Sequence, residues 1–166
     1  REDMQVKGSE TDIRIDGSTE FTDYIDNAAE GKNYGLEAEL SWSVNESLQL
    51  FASLGLLEAE LDEYITPNGE DKSGRDQAHA PAYQFSLGGE YGFAGGWFVR
   101  AELEGKDSFY FSDRHDEQSD SYELLSAKLG YRGENWSIAL WGRNLTDEDY
   151  QTRGFGFAND PRDGYS

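Results

Sequence analysis

His79 and His115 are the two imidazoles in a 166-residue chain that has no cysteine. The first lies near Asp76, the second among Asp113, Asp116 and Glu117. A metal ion or a ligand contact is the chemistry such groups offer, but neither histidine has a second nitrogen ligand at a recognised spacing, and lone loop histidines are more often simply solvated. Asp113, Asp116 and Asp120 lack the glycine and closing glutamate of a calcium loop. No Ser/His/Asp grouping stands out, and the carboxylates are too numerous to single out an acid–base pair. The sequence therefore names no catalytic residue, no cofactor and no metal site. What remains is binding chemistry: Tyr64, Asn68, Arg75, Phe109, Tyr110, Arg114, His115, Arg153 and Phe155 are aromatic, amide and cationic groups in long polar segments. They are candidate ligand contacts by location.

The elements that must carry those segments follow from hydrophobic period. Over residues 34–44, Tyr34, Leu36, Ala38, Leu40, Trp42 and Val44 alternate with Gly35, Glu37, Glu39, Ser41 and Ser43. Strict two-residue alternation predicts a strand with one apolar face. After a turn at 45–47 it resumes with Leu48, Leu50, Ala52, Leu54 and Leu56, which predicts a hairpin. The same grammar recurs over 83–106 around a turn at 94–96, and over 125–140 around a turn at 133–135. Connections between hairpins, near 62–80 and 107–119, are long and polar. Short turns at one end and long loops at the other are typical of outer-membrane barrels.

Two details sharpen this pattern. The period slips at Leu56–Leu57 and Leu124–Leu125, consistent with a β-bulge or with the end of a membrane-embedded section. Aromatic residues cluster at both ends: Trp42, Tyr91, Phe93, Trp97, Tyr131 and Trp136 near the short turns form one expected interfacial girdle. Tyr83, Phe109, Tyr110, Phe111 and Tyr122 form an expected second one. The N-terminal third is less regular. Met4 and Val6 read as the end of a strand, 8–18 as a polar loop, and 19–29 as an extension of the strand at Tyr34.

Composition agrees with an all-β chain, since 19 Gly, 10 Tyr, 9 Phe and 4 Trp suit turns and pleated surfaces. A helical span needs roughly 20 apolar residues in a row, and the longest apolar run is only a few residues. Thirty-four acidic against fourteen basic residues make a net charge of −20, which opposes nucleic acid as a partner. A mean hydropathy of −0.80 is compatible with a barrel, in which only the outward half of each strand is apolar. A register slip of one residue would turn Glu37, Glu39, Arg100, Glu102, Glu104 and Lys128 toward lipid. That many charges facing inward predict a wide, wet or plugged lumen. The expected fold is an antiparallel meander of about 7–8 strands forming part of a large transmembrane β-barrel, with 1–166 as one unit without an internal boundary. Opening at Arg1 without an initiator Met or apolar leader, the chain reads as a piece.

Directly after SIALWG comes RNLTDEDY, in which Arg143, Asn144, Leu145, Asp147 and Tyr150 resemble the N-L-(T/F)-(D/N)-x-x-Y motif near the C-terminus of TonB-dependent receptors. NAAEGKNYGLEAELSW, APAYQFSLGGEY and RGFGFANDPRDGYS resemble other barrel segments of that family, so the resemblance covers nearly the whole chain. Asn144 and Asp147 suit a bend in which side chains satisfy backbone groups, with Tyr150 rejoining the sheet beyond it. The sequons at Asn45, Asn135 and Asn144 overlap the first and third turns and this motif, and read as turn chemistry. The resemblance implies a 22-stranded, plugged barrel in a bacterial outer membrane, driven by the TonB system, that takes up a scarce nutrient such as a ferric siderophore and is not an enzyme. It implies outer-membrane lipid, the rest of the barrel and the plug as partners, and small-molecule cargo of unread identity. The family's last strand, plug and TonB box are expected to lie outside this chain. The rival readings are a passive porin-like or structural outer-membrane barrel, and a soluble carbohydrate-binding β-sandwich.

Overall fold

A computed structural model describes residues 2–13, 19–66 and 69–154. Its regular structure is entirely β among these residues: β1 (Glu2–Ile13), β2 (Thr19–Ser43), β3 (Leu48–Glu63), β4 (Arg75–Asp76), β5 (Tyr83–Gly92), β6 (Trp97–Lys106), β7 (Phe109–Tyr110), β8 (Gln118–Ser119), β9 (Tyr122–Arg132) and β10 (Ser137–Gly142). The principal sheet runs β1-β2-β3-β5-β6-β9-β10, with β4 attached to β3, while β7 and β8 pair as a small separate ribbon. Every pairing is antiparallel. This is the expected meander, here as an open sheet.

The register puts the alternation on the two faces as anticipated. Leu54 pairs with Phe85, Ala52 with Leu87, and Leu87 with Leu103, which in turn pairs with Leu125. Leu36, Leu40, Leu87, Leu129 and Leu140 all stand exposed on this apolar face. On the other face Glu39 pairs with Ser53, and Glu90, Arg100 and Lys128 follow one another across three strands. Arg132 bonds Glu90 at 2.8 Å and Arg100 bonds Glu102 at 3.1 Å there.

β5, β6 and β9 have 10, 10 and 11 residues, matching the roughly 9–11 that a tilted strand needs to cross hydrocarbon. β2 has 25 residues, on the order of 80 Å of extended chain, and with β1 it runs far past the start of β5. The segment 8–13, expected as polar loop, is strand: Gly8 pairs with Tyr24 and Ile13 with Thr19. A polar strand paired only along a ribbon shows no alternation of hydrophobicity, which is why the period missed it. Residues 14–18 of that expected loop lie outside the described residues.

The short turns are built from their own residues. The Asn45 carboxamide oxygen accepts N–H bonds from Ser47 and Leu48 at 2.8 and 2.9 Å, an Asx-type closure. Gly95 and Gly96 supply φ of +83° and +89° in the second turn, a backbone region that glycine reaches without strain. At this end Trp97 meets Tyr131 edge-on at 5.2 Å, Trp136 lies 5.1 Å from the same ring, and Tyr91 meets Phe93 at 4.9 Å. The first girdle is present.

The second is not. Of its five expected members, Tyr83 alone stands exposed on the apolar face. Phe109 and Phe111 are buried, only 3% and 6% exposed, and Tyr110 lies beneath the Arg75 guanidinium. Tyr122 shares the polar face of β9 with Leu124 and Lys128, and its ring packs on Tyr150 at 4.6 Å. Phe109 and Phe111 are a loop interior and Tyr122 a lumen-face ring, which adjacency to a long loop does not distinguish from an interface. The two slips of period resolve the same way. Pairing runs without a bulge through Leu36↔Leu56 and Gly35↔Leu57, and through Leu103↔Leu125 and Glu104↔Leu124. Leu57, Ala59 and Leu61 therefore continue the polar face, where Ala59 and Leu61 are buried (4% and 0% exposed), and Leu124 is buried on that face of β9.

Candidate functional site at the long-loop end

The connection 64–82 folds back on β3. Glu60 pairs with Asp76 and Leu61 with Arg75, while Gly74 and Gln77 donate backbone N–H groups to Leu61 and Ala59 carbonyls at 2.6 and 2.8 Å. β4 thus replaces β5 as the neighbour of β3 beyond Leu56. From that base the Arg75 guanidinium reaches across to the connection 107–121, donating to the carbonyls of Ser112 (2.8 Å) and His115 (2.9 Å) and to Asp116 Oδ1 (2.8 Å). It also lies 4.4 Å over the Tyr110 ring. Lys72 Nζ reaches both Asp116 oxygens at 2.9 Å. Asp113 accepts the Ala78 N–H at 2.7 Å, and the His79 N–H donates to the Tyr110 carbonyl at 2.9 Å. Below this, Phe109 packs 5.5 Å from His79 and 5.7 Å from Phe111.

Three of the sequence-predicted contact residues, Arg75, Tyr110 and His115, meet in this cluster. Arg114 adjoins it, half-buried, with its N–H on Ser112 Oγ at 3.2 Å. Tyr64 and Phe109 are buried beneath the loop surface, Arg153 is exposed, and Asn68 and Phe155 lie outside the described residues. Lys72, Asp113 and Asp116 carry as much of the arrangement as Arg75, and none of the three is among the contacts expected from the sequence. Opposite charges on two adjacent long loops were the available signal, but partners about forty residues apart have no spacing to read.

The charges tune one another. Hydrogen bonding to Asp116, and more weakly to Glu70, raises the Lys72 ammonium above its ordinary 10.5. Hydrogen bonds from Lys72 and then Arg75 hold the Asp116 carboxyl below its ordinary 3.8. Burial, aided by Arg75, lowers the His115 imidazole below 6.5. A depressed acid or imidazole stabilises the folded arrangement above its unfolded value and loses that contribution as pH falls; a raised lysine does so below its unfolded value and loses it as pH rises. The loop cluster is accordingly tightest between about pH 6.5 and 10.5. A nitroxide on a cysteine placed at Glu117, in a chain with no cysteine of its own, is expected to gain mobility as pH falls from about 7.5 to 5.5. Unchanged or reduced mobility would contradict this.

After β10 the motif residues make a bend. Asn144 has φ +51° and Asp147 φ +56°. The Asn144 carboxamide pairs with both backbone groups of Glu148, accepting its N–H and donating to its carbonyl, each at 2.9 Å. Leu145 N–H donates to the Leu125 carbonyl at 2.8 Å. Tyr150 does not rejoin the sheet; it returns through its ring on Tyr122. Asn144→Gly keeps the backbone conformation and loses two exposed hydrogen bonds, an expected cost of about 1 kcal/mol, measurable as a shifted denaturant midpoint with unchanged slope. The bend closes over a recess on the polar face of about 590 Å³, lined among others by Glu39, Gln84, Glu104, Lys106, Tyr122 and Tyr150.

An apolar outer face, a charged inner face, a girdle at the short turns and a folded loop cluster opposite are now in place. The family described as TonB dependent receptor-like, beta-barrel, matches residues 2–145. This chain belongs to that family. The ferric-pyoverdine M114 receptor PbuA of Pseudomonas sp. (strain M114) is 30% identical over 152 residues, an alignment covering 82% of this chain and 18% of that protein. The siderophore receptor PiuA from Acinetobacter baumannii shares the fold with a TM-score of 0.65 at 21% identity, over 74% of this chain and 19% of that one. The chain thus spans less than a fifth of the length of these relatives. As a TonB-dependent receptor barrel it belongs in the bacterial outer membrane, within a family of receptors and not enzymes. In such barrels the apolar face meets lipid, the polar face lines the lumen and the long connections lie on the extracellular side.

Proposed function

We propose that the whole protein takes up a ferric siderophore across the outer membrane with energy from the TonB system. In this reading the present chain, a single unit, supplies barrel wall, lumen lining and two structured outer loops. The observation that carries it is the family match over residues 2–145, joined by the likeness to a ferric-pyoverdine receptor. The charged lumen face fits a barrel occupied by a plug, and the remaining strands and the plug come from the rest of the protein. Around the mouth, Tyr110, Arg114, His115 and Arg153 are the proposed cargo contacts, with Arg75 holding the first three in place; Tyr64 and Phe109, being buried, support them from beneath. Asn68 and Phe155, outside the described residues, are kept as proposed contacts on the sequence alone.

The test is uptake of radio-iron as ferric pyoverdine by iron-starved cells, with and without the intact gene and with the TonB system inactivated. Binding that survives loss of TonB while transport stops is expected. Transport at the wild-type rate in cells lacking the gene removes the siderophore reading, and transport that continues without TonB favours a passive pore.

A further inference from the structure

The two long extracellular connections share one interior. We propose that 107–121 is latched to the barrel wall through Arg75, so that both connections open and close as one body. Arg75 belongs to β4, whose backbone is registered on β3 at Leu61, and β3 is a wall strand. A loop-borne arginine would follow its loop, whereas this one is fixed to the membrane-spanning sheet. Its guanidinium takes three acceptors within five residues of the other connection, at Ser112, His115 and Asp116. Lys72 grips the same Asp116 carboxylate from the same side.

The backbone repeats the join: Ala78 N–H bonds Asp113 and His79 N–H bonds the Tyr110 carbonyl. The apolar interior does so again, because His79 from one connection packs on Phe109 from the other. Neither segment has that interior to itself, so releasing either exposes the same rings to water. Within the latch the cations are sheltered, with side chains 12% and 10% exposed for Lys72 and Arg75, while the Asp116 side chain is 70% exposed. Asp116 is therefore the member that water or a competing cation reaches first. A ligand engaging one connection repositions the other.

Amide hydrogen exchange on the complete receptor in detergent micelles tests the latch, because local opening of a cooperative unit raises exchange throughout that unit. The variants are Arg75→Gln and Asp116→Asn, the latter at an exposed side chain. Arg75→Gln is expected to speed exchange about tenfold or more in both 73–82 and 109–119. Asp116→Asn is expected to give the same paired pattern with smaller amplitude. Strands 83–92 and 97–106 should keep wild-type protection, which also shows that the variant barrels are folded. Faster exchange confined to the connection bearing the substitution, in either variant, overturns the proposal.

Discussion

Arginine in place of Leu87 is expected to destabilise the folded barrel by about 2–4 kcal/mol, the cost of a cationic side chain at mid-bilayer. The position follows from register. Leu87 lies on the lipid face in the row Ala52–Leu87–Leu103–Leu125, four residues from Tyr91 and four from Tyr83 along β5. It stands exposed on that face, with neighbours unable to pair the guanidinium. Snorkelling to either interface must cover half the apolar band, which keeps the cost near the full value. Ser53→Arg is the matched control: Ser53 pairs with Glu39 and with Ser86 on the lumen face, where the change is expected to stay within about 0.5 kcal/mol. Denaturant titration of the complete barrel in lipid vesicles reads both. Equal costs at the two sites would mean that the faces are assigned wrongly.

Gly88→Ala is expected to cost about 1–3 kcal/mol, as overpacking does, although alanine is ordinarily the better strand residue. A Cβ there would lie 2.4 Å from the Phe51 ring and 2.6 Å from the Ala101 carbonyl oxygen. The ring can shift only by leaving the Arg100 guanidinium stacked 4.0 Å over it, and the carbonyl belongs to the β5–β6 ladder. Gly92→Ala, on the same strand and face, meets nothing nearer than the Ser47 carbonyl at 3.8 Å. It is expected to be neutral or to stabilise by roughly 0.5 kcal/mol through loss of chain entropy in the unfolded state. Unfolding midpoints measured side by side check the contrast. Recovery of part of the Gly88→Ala loss by Phe51→Leu would assign that part to the ring, and no recovery would assign the cost to the carbonyl.

Much of this arrangement was legible in residue order because membrane strands obey a local rule. One face meets lipid and the other a polar lumen, so Leu48 to Leu56 and Tyr83 to Phe93 announce their faces at every second residue. Turn chemistry is equally local, as Asn45 and the Gly95–Gly96 pair show. The rule fails where its cause ends. Beyond Leu56 the lumen side is covered by the chain's own loop, so Ala59 and Leu61 turn apolar on the face that was polar below. The slip of period was visible, but what covered those residues was not.

Residue order by itself determined the strands of the wall, their faces, the end at which the short turns lie, and through RNLTDEDY and the neighbouring segments the family resemblance. Tertiary structure alone decided that Phe109 and Phe111 form a loop interior and not a girdle, that Tyr150 returns through its ring, and that Arg75, Lys72 and Asp116 join two connections. The reason is physical. Pleat and turn preferences act between near neighbours in sequence, whereas a salt bridge across some forty residues depends on where the barrel wall sets each loop down.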